Sequence, residues 1–438
     1  MTKHGECAIN LACSFFINSY FLSCQLNKQL RKMNFKYILL ILTAILQQHC
    51  TPAKIVTPPI AAQNTQLPIP KIQVGAEQMS DYLPMLAGKK VGVVVNQTSM
   101  VGSTHLVDSL LIRGIQIARV FAPEHGFRGK ADAGAKIKDG IDEKTGLPIT
   151  SLYGKKRKPG VEEFQGIDII LFDIQDVGVR CYTYISTMTL VMEACAEQGL
   201  PFIILDRPNP NGHYIDGPML DTSLRSFVGQ NETPLVYGMT EGELAKMIIG
   251  EKWINQADKL NFTLIPCVNY THHTIYELPI KPSPNLPNLR SIYLYPSLVL
   301  VEGTTVSAGR GTNQQFQVIG HPDFTKGDYT FTPTPRDGAW YPKHKGKVCH
   351  GYNLTTIPLE NFQKNAHLRL DIIMNFYRDF PDKNNFFIDN NFFDKLAGTK
   401  DLKQQIIQGK SEAEIRTSWQ PGLNEFKKKR KKYLMYMD

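Results

Sequence analysis

The 438-residue sequence predicts an α/β protein: a Rossmann-like parallel sheet domain followed by a smaller α+β C-terminal domain. Three observations carry that reading. Short β-branched runs alternate with stretches of helical periodicity. The runs are apolar throughout, as strands covered on both faces are. The length, with 42% hydrophobic and 20% charged residues, suits two domains of roughly 100 to 200 residues each. The same composition excludes disordered, collagen-like and multi-span membrane chains.

Taken in order, residues 1–32 do not read as a domain. Met33-Asn34-Phe35-Lys36, the apolar run from Tyr37 to Leu46 and then Cys50 have the layout of a secretion signal. A membrane span needs about 20 apolar residues. Residues 1–50 are therefore read as an extension ahead of a start at Met33 plus a signal segment. Cys50 resembles the lipidated cysteine of a bacterial lipoprotein, although Gln48 and His49 stand where small residues are usual. Residues 51–74, rich in Pro, Ala, Gln and Thr, read as a tether. The expected location is exported, in the periplasm or on the outer membrane, with a lipid anchor.

The sheet domain is expected over 75–290. Lys90–Val95 is too short for a helix and ends at Asn96. Residues 103–113 place Leu106, Val107, Leu110 and Leu111 at helical spacing and stop at Gly114. Ile117–Ala122 and Ile167–Phe172 are the next strands. A helix follows with the stripe Ile185, Met188, Met192 and Cys195, ending at Gly199, and then the strand Phe202–Leu205. Repeated β-α-β units predict a doubly wound sheet with right-handed crossovers. The Pro-rich stretch 281–287 can be neither helix nor central strand and marks the crossing into the second domain, 291–438. That domain is expected to hold a strand at 315–319, a helix at 368–377 and a basic run at its end.

Lys and Arg number 49 against 40 Asp and Glu, a formal +9. The six cations 427–432 carry most of it, and without them the excess falls from +9 to +3. Such a run reads as a solvated tail or a last exposed helical turn, so no nucleic-acid partner is expected. Of eight cysteines, Cys181, Cys195, Cys267 and Cys349 lie in the folded part, without Cys-x-x-Cys spacing. Cys195 falls on an apolar helical stripe, where a buried free thiol is the ordinary outcome. His272, His273, His344 and His350 show no metal-ligand pattern.

Open α/β sheets bind ligands beyond the carboxyl ends of their strands. Past the four strands stand Asn96, then Pro123-Glu124-His125-Gly126, then Asp173-Ile174-Gln175-Asp176, then Asp206-Arg207. Four polar clusters are thus expected on one rim. A dinucleotide site would need Gly-x-Gly-x-x-Gly after the first strand, where the chain reads Asn96 to Gly102 without it, and no P-loop occurs. No cofactor is expected, so the chemistry falls to side chains. Glu124 lies between Phe121 and Phe127 and beside His125. Apolar neighbours favour a protonated carboxyl, which suits a proton donor to a leaving oxygen.

Four strings carry a family resemblance: PEHGFRG (123–129), DIQDVGVRCYTY (173–184), LDRPNPNG (205–212) and SPNLPNLRSIYLYPSLVLVEGTTVSAGRGT (283–312). With them the chain, from about Gly88 onward, resembles the exo-β-N-acetylmuramidases of the NamZ type. The resemblance implies that the Rossmann-like domain is the catalytic one, with an active cleft between it and a smaller C-terminal domain. It implies release of N-acetylmuramic acid from the non-reducing end of peptidoglycan fragments, with Glu124 catalytic and His125 close to the chemistry. The partners expected are muropeptides or disaccharides. Arg128, Arg180, Arg207 and Arg310 are candidates for the lactyl carboxylate, since guanidinium forks bind carboxylates bidentately. Asn96, Gln175 and Asp176 are candidates for sugar hydroxyls, and Tyr184 for stacking on a pyranose face.

The second catalytic group stays open. Asp176 and Glu302 are candidates by motif position, and a substrate-assisted or histidine-assisted route needs neither. Two rival readings also stand. One is a metal-dependent phosphoesterase with Glu124, His125, Asp176 and Asp206 as ligands; the other is a non-catalytic wall-binding lipoprotein.

Overall fold

A computed structural model describes residues 71–128 and 139–438, all within one compact unit. The signal segment, Cys50 and most of the tether lie outside the described residues. A seven-stranded sheet organises the first half. Its order is Phe262–Ile265, Phe202–Leu205, Ile169–Asp173, Lys90–Val95, Gln116–Ala122, Pro148–Ser151 and Gly140–Ile141. All neighbours are parallel except the last pair. Sequence reading finds four of these strands. It misses Pro148–Ser151, Gly140–Ile141 and Phe262–Ile265, which lie toward the sheet edges, are less buried and so carry no continuous apolar run.

The apolar runs feed two cores by strict alternation. Val91, Val93, Val95, Ile169, Leu171, Ile203 and Leu205 face one side, where they meet Leu106, Val107 and Leu110. Val94, Phe121, Ile170, Phe172 and Ile204 face the other, against Met188 and Met192. A side-chain period of two on each strand makes this possible, and burial on both faces is why these runs are largely apolar.

The helix expected at 103–113 runs Leu106–Ile112. Met100–Val101 and Thr104–His105 form a small hairpin ahead of it, and the His105 side chain accepts from the Val107 N–H as its N-cap. The helix Tyr184–Gln198 ends at Gly199, whose φ of 70° is the left-handed conformation of a helix stop.

The second half contains a three-stranded antiparallel sheet, in the order Val318–His321, Cys349–Asn353, Tyr329–Phe331, with helices around it. The strand expected at 315–319 starts three residues later because Phe316 has φ 52° and donates its N–H to the Ala308 carbonyl. Leu294, Leu298, Phe376, Phe393 and Trp419 join the same core as Val94 and Phe172, so the two halves share one apolar interior.

The basic run is the end of the helix Glu412–Arg430 and the turn after it. Arg430 is buried, donates to the Gly238 carbonyl and pairs with Asp438, so the terminus is clamped to the body rather than trailing from it. The four described cysteines are free and buried. No helix among the described residues is long and apolar enough to cross a membrane.

Candidate active site

The parallel register aligns the strand ends: Val95 lies beside Asp173, and Ala122 beside Ser151. The four polar clusters do meet at one rim, but in two different ways.

Three of them bond mainly to one another and to the chain around them. Arg207 forks onto Asp173 through Nε at 2.5 Å and Nη2 at 2.9 Å, with both side chains buried. Burial works against the guanidinium cation, yet Asp173 more than offsets it. The Asn96 carboxamide accepts from Thr98 N and Oγ1, and Thr98 Oγ1 in turn accepts from the Gln175 N–H. The Gln175 amide donates to the Asp176 and Pro208 carbonyls. Asp176 accepts from the Gly178 N–H at 2.5 Å and from the Tyr237 hydroxyl, and burial pushes it up to about 6. Asp206 accepts from Thr240, Tyr436 and the Gly242 N–H, and burial pushes it up to about 6 as well. Beside them buried Glu241 is raised well above the carboxylate range, by burial first and then by Asp176 and Asp206. None of these side chains lines the cavity onto which the fourth cluster opens.

The fourth cluster opens onto that cavity, of about 820 Å³. This lies within the range of roughly 300–1,000 Å³ usual for small-molecule sites. Glu124 and His125 both line it. The turn that carries them closes with the Gly126 N–H donating to the Pro123 carbonyl at 3.0 Å. His125 is held at φ 68°, a left-handed backbone that strains any side chain bearing a Cβ. Such strain costs on the order of 1–3 kcal/mol and concentrates at functional sites. Phe121 and Phe127 turn away into the two cores, against Phe164 and His105, so they are not the walls around Glu124. The Thr183 hydroxyl instead donates to Glu124 Oε2 at 2.6 Å. The Tyr153 phenol, also a cavity residue, is held well above its ordinary value by burial and then by the nearby Glu124 carboxylate.

The second half supplies the facing groups. Glu302, in the 3-10 turn Val299–Gly303, accepts from Arg310 Nε at 2.9 Å. Burial alone would raise its carboxyl, but Arg310 and then Lys343 outweigh that and hold it below the usual carboxylate range. Arg310 also lies over the Phe316 ring at 4.9 Å. The Lys343 ammonium donates to the carbonyls of Val301, Glu302, Thr304 and Val306, fixing the backbone that presents Glu302. Arg157 lines the same cavity, over the Phe227 ring at 4.5 Å.

Of the site residues expected from sequence, the cavity thus gathers Glu124, His125, Tyr184, Glu302 and Arg310. Tyr184 is nearly enclosed, and its hydroxyl donates to the Pro282 carbonyl. Arg128 instead forks onto Asp142. Arg180 is fully buried, with its guanidinium donating to the carbonyls of Pro218, Thr233, Leu396 and Ala397, and burial lowers it to about 10. It ties the rim to the end of the helix Phe392–Ala397 in the second half.

Sequence reading passed over Tyr153, Arg157, Thr183 and Lys343. Thr183 sits inside the string 173–184 and was within reach. Tyr153 and Arg157 follow the unrecognised strand Pro148–Ser151. Lys343 carries no local signal. The four residues of the metal-site rival do not converge either: Asp176 and Asp206 belong to the enclosed networks, Glu124 and His125 to the cavity. Among the described residues no group of three or more His, Cys, Asp or Glu side chains is placed to hold an ion.

Two family models cover most of the chain: "Exo-beta-N-acetylmuramidase NamZ, N-terminal" matches residues 91–290 and its C-terminal counterpart residues 293–436. The chain belongs to the NamZ exo-β-N-acetylmuramidase family. It is 38% identical over 392 residues to the peptidoglycan β-N-acetylmuramidase NamZ of Bacillus subtilis, covering 84% of this chain and 92% of that protein. Two crystal structures of DUF1343 family proteins from Bacteroides fragilis share the fold. One is 46% identical with a TM-score of 0.78, and the other 27% identical with a TM-score of 0.70. Each covers 84% of this chain and 100% of the solved one. The NamZ models meet at residues 290–293, just beyond the Pro-rich stretch, and the cavity draws its walls from both sides of that junction.

Proposed function

We propose that the protein is an exo-acting glycosidase that releases terminal N-acetylmuramic acid from the non-reducing end of peptidoglycan fragments. The observation that carries this is one cavity holding two carboxyl groups in different settings. Glu124 accepts a hydrogen bond from the Thr183 hydroxyl, and Glu302 is kept ionised by Arg310 and Lys343. Glycoside cleavage needs a proton on the leaving oxygen and negative charge near the developing oxocarbenium ion. Glu124 takes the first role and Glu302 the second. Thr183 fixes the orientation of Glu124 by holding Oε2, and Lys343 fixes that of Glu302 through its backbone.

The same cavity accounts for an acidic sugar. Arg157 and Arg310 line it, and a guanidinium fork is the group that recognises a carboxylate such as the lactyl one. His125 and Tyr184 shape the wall beside Glu124. Residues 75–290 form the catalytic part and 291–438 the part that closes over the sugar. The n-region, the h-region and Cys50 support export and a lipid anchor, which would keep the enzyme at the envelope where its substrate lies.

The test follows a defined disaccharide, N-acetylmuramic acid β-linked to N-acetylglucosamine, and its longer homologues by NMR. Free N-acetylmuramic acid should appear first from every chain that ends in it. Internal cleavage of the longer chains ahead of terminal release would overturn the exo-acting reading.

A further inference from the structure

Tyr341 is the most exposed large hydrophobic side chain among the described residues, at 90%, and it is also a wall of the reaction cavity. Trp340 beside it is 53% exposed. A lone exposed aromatic is unremarkable in itself. Here the backbone around the pair is fixed by contacts that leave it little freedom. On one side Asn285 Nδ2 donates to the Gly338 carbonyl at 2.8 Å, and Gly338 packs so closely on Pro284 that a Cβ there would come within 2.4 Å of it. Arg336 and Ala339 bond each other in both directions. On the other side Pro342 packs against Gly311, Lys343 is bound to four carbonyls, and the His344 ring bonds the Thr305 carbonyl at 2.6 Å. A rigid loop that spends buried polar contacts to hold aromatic surface in water is built for a ligand.

The position of that surface identifies the ligand. An exo-acting cavity encloses one terminal sugar, so the sugar on the far side of the scissile bond must leave through the mouth. Tyr341 belongs to both the cavity wall and the exposed surface. The Lys345 ammonium lies 5.5 Å from its ring centroid, which assigns one ring face to a cation. The other face is the size and polarity of a pyranose ring's C–H face.

We propose that Tyr341 forms the binding platform for the leaving-group sugar, the residue on the reducing side of the bond cleaved. This inference rests on the glycosidase reading above. Tyr341 does not take part in proton transfer; it selects substrates whose leaving group is a sugar ring over those whose leaving group is small.

The test compares two substrates that share the N-acetylmuramic acid unit: the methyl β-glycoside, and the disaccharide with N-acetylglucosamine as leaving group. The wild-type preference for the disaccharide, as a ratio of kcat/KM values, should fall by about 3- to 10-fold in Tyr341→Ala, the effect expected of one aromatic stacking contact. Tyr341→Phe, which keeps the ring, should retain the preference. Equal loss on both substrates, or an unchanged ratio, would overturn the platform. A wild-type protein that cleaves neither substrate would instead overturn the glycosidase reading beneath it, so the two failures are distinct. Since Tyr341 is almost fully exposed, the alanine variant should fold as the parent does, and its thermal midpoint checks this.

Discussion

The two arms of the sheet rim follow the same construction and end in opposite states. In each, a buried strand delivers a carboxylate to its carboxyl end. On the enclosed arm Asp173, Asp176 and Asp206 meet Arg207, Tyr237 and Tyr436, partners contributed by the chain itself. On the open arm Glu124 reaches a cavity whose facing wall comes from the second half. Convergence of polar groups at a sheet edge therefore does not define a reaction site. What distinguishes the arms is that, of the four clusters, the one carrying Glu124 and His125 lines the cavity.

After the proton donor itself, the largest effect should come from the facing wall. Glu302→Gln removes the ionised carboxylate but keeps its shape, and kcat/KM on the disaccharide should fall by about 10²- to 10³-fold with an unchanged circular dichroism spectrum. Near-wild-type turnover would place the charge-stabilising group elsewhere. The next largest should be in stability rather than rate. Arg180→Met strips the donors from four buried carbonyls, and urea unfolding should report a loss of about 3 kcal/mol or more. Turnover per folded molecule should stay within about twofold. A variant as stable as the parent would show that the clamp is dispensable.

Smaller is the expected consequence of Thr183→Val, which leaves Glu124 in place without its 2.6 Å donor. A positioning role predicts a drop of about tenfold in kcat with little change in KM. A change in KM alone would contradict it. The smallest effect separates the arms by pH. Burial lifts Asp176 to about 6, so the folded chain holds this proton more tightly than the unfolded chain does. The stability this contributes is present near pH 4, declines as pH rises and is gone above about 6. Asp176→Asn mimics the protonated form at every pH. The variant should match the parent below about pH 4 and exceed it in thermal midpoint at pH 7. The buried histidines titrate in the same window with the opposite sign, but they do so in both proteins and cancel in the difference.

Much of this was legible in the sequence. Continuous β-branched runs revealed the central strands, because burial on both faces leaves a compositional mark. The strings named Glu124 and Glu302 as candidates, and the cavity gathers both. The division between the arms was not legible, since it depends on partners far along the chain. Arg180 looks like any motif arginine until the helix Phe392–Ala397 is seen to present its terminal carbonyls to it. Asp176 was assigned beside Glu124 by its motif, and only the fold shows Tyr237 already bonded to it. Lys343 acts through backbone carbonyls some 40 residues earlier, a contact that no local pattern records.

The division of the rim is tested most directly by paired kinetics of Glu124→Gln and Asp176→Asn on the disaccharide, with both variants shown to be folded. Loss of the proton donor should lower kcat/KM by about 10³-fold or more, whereas the enclosed-arm change should stay within about threefold. A comparable loss in Asp176→Asn, or retention of activity in Glu124→Gln, would contradict the account.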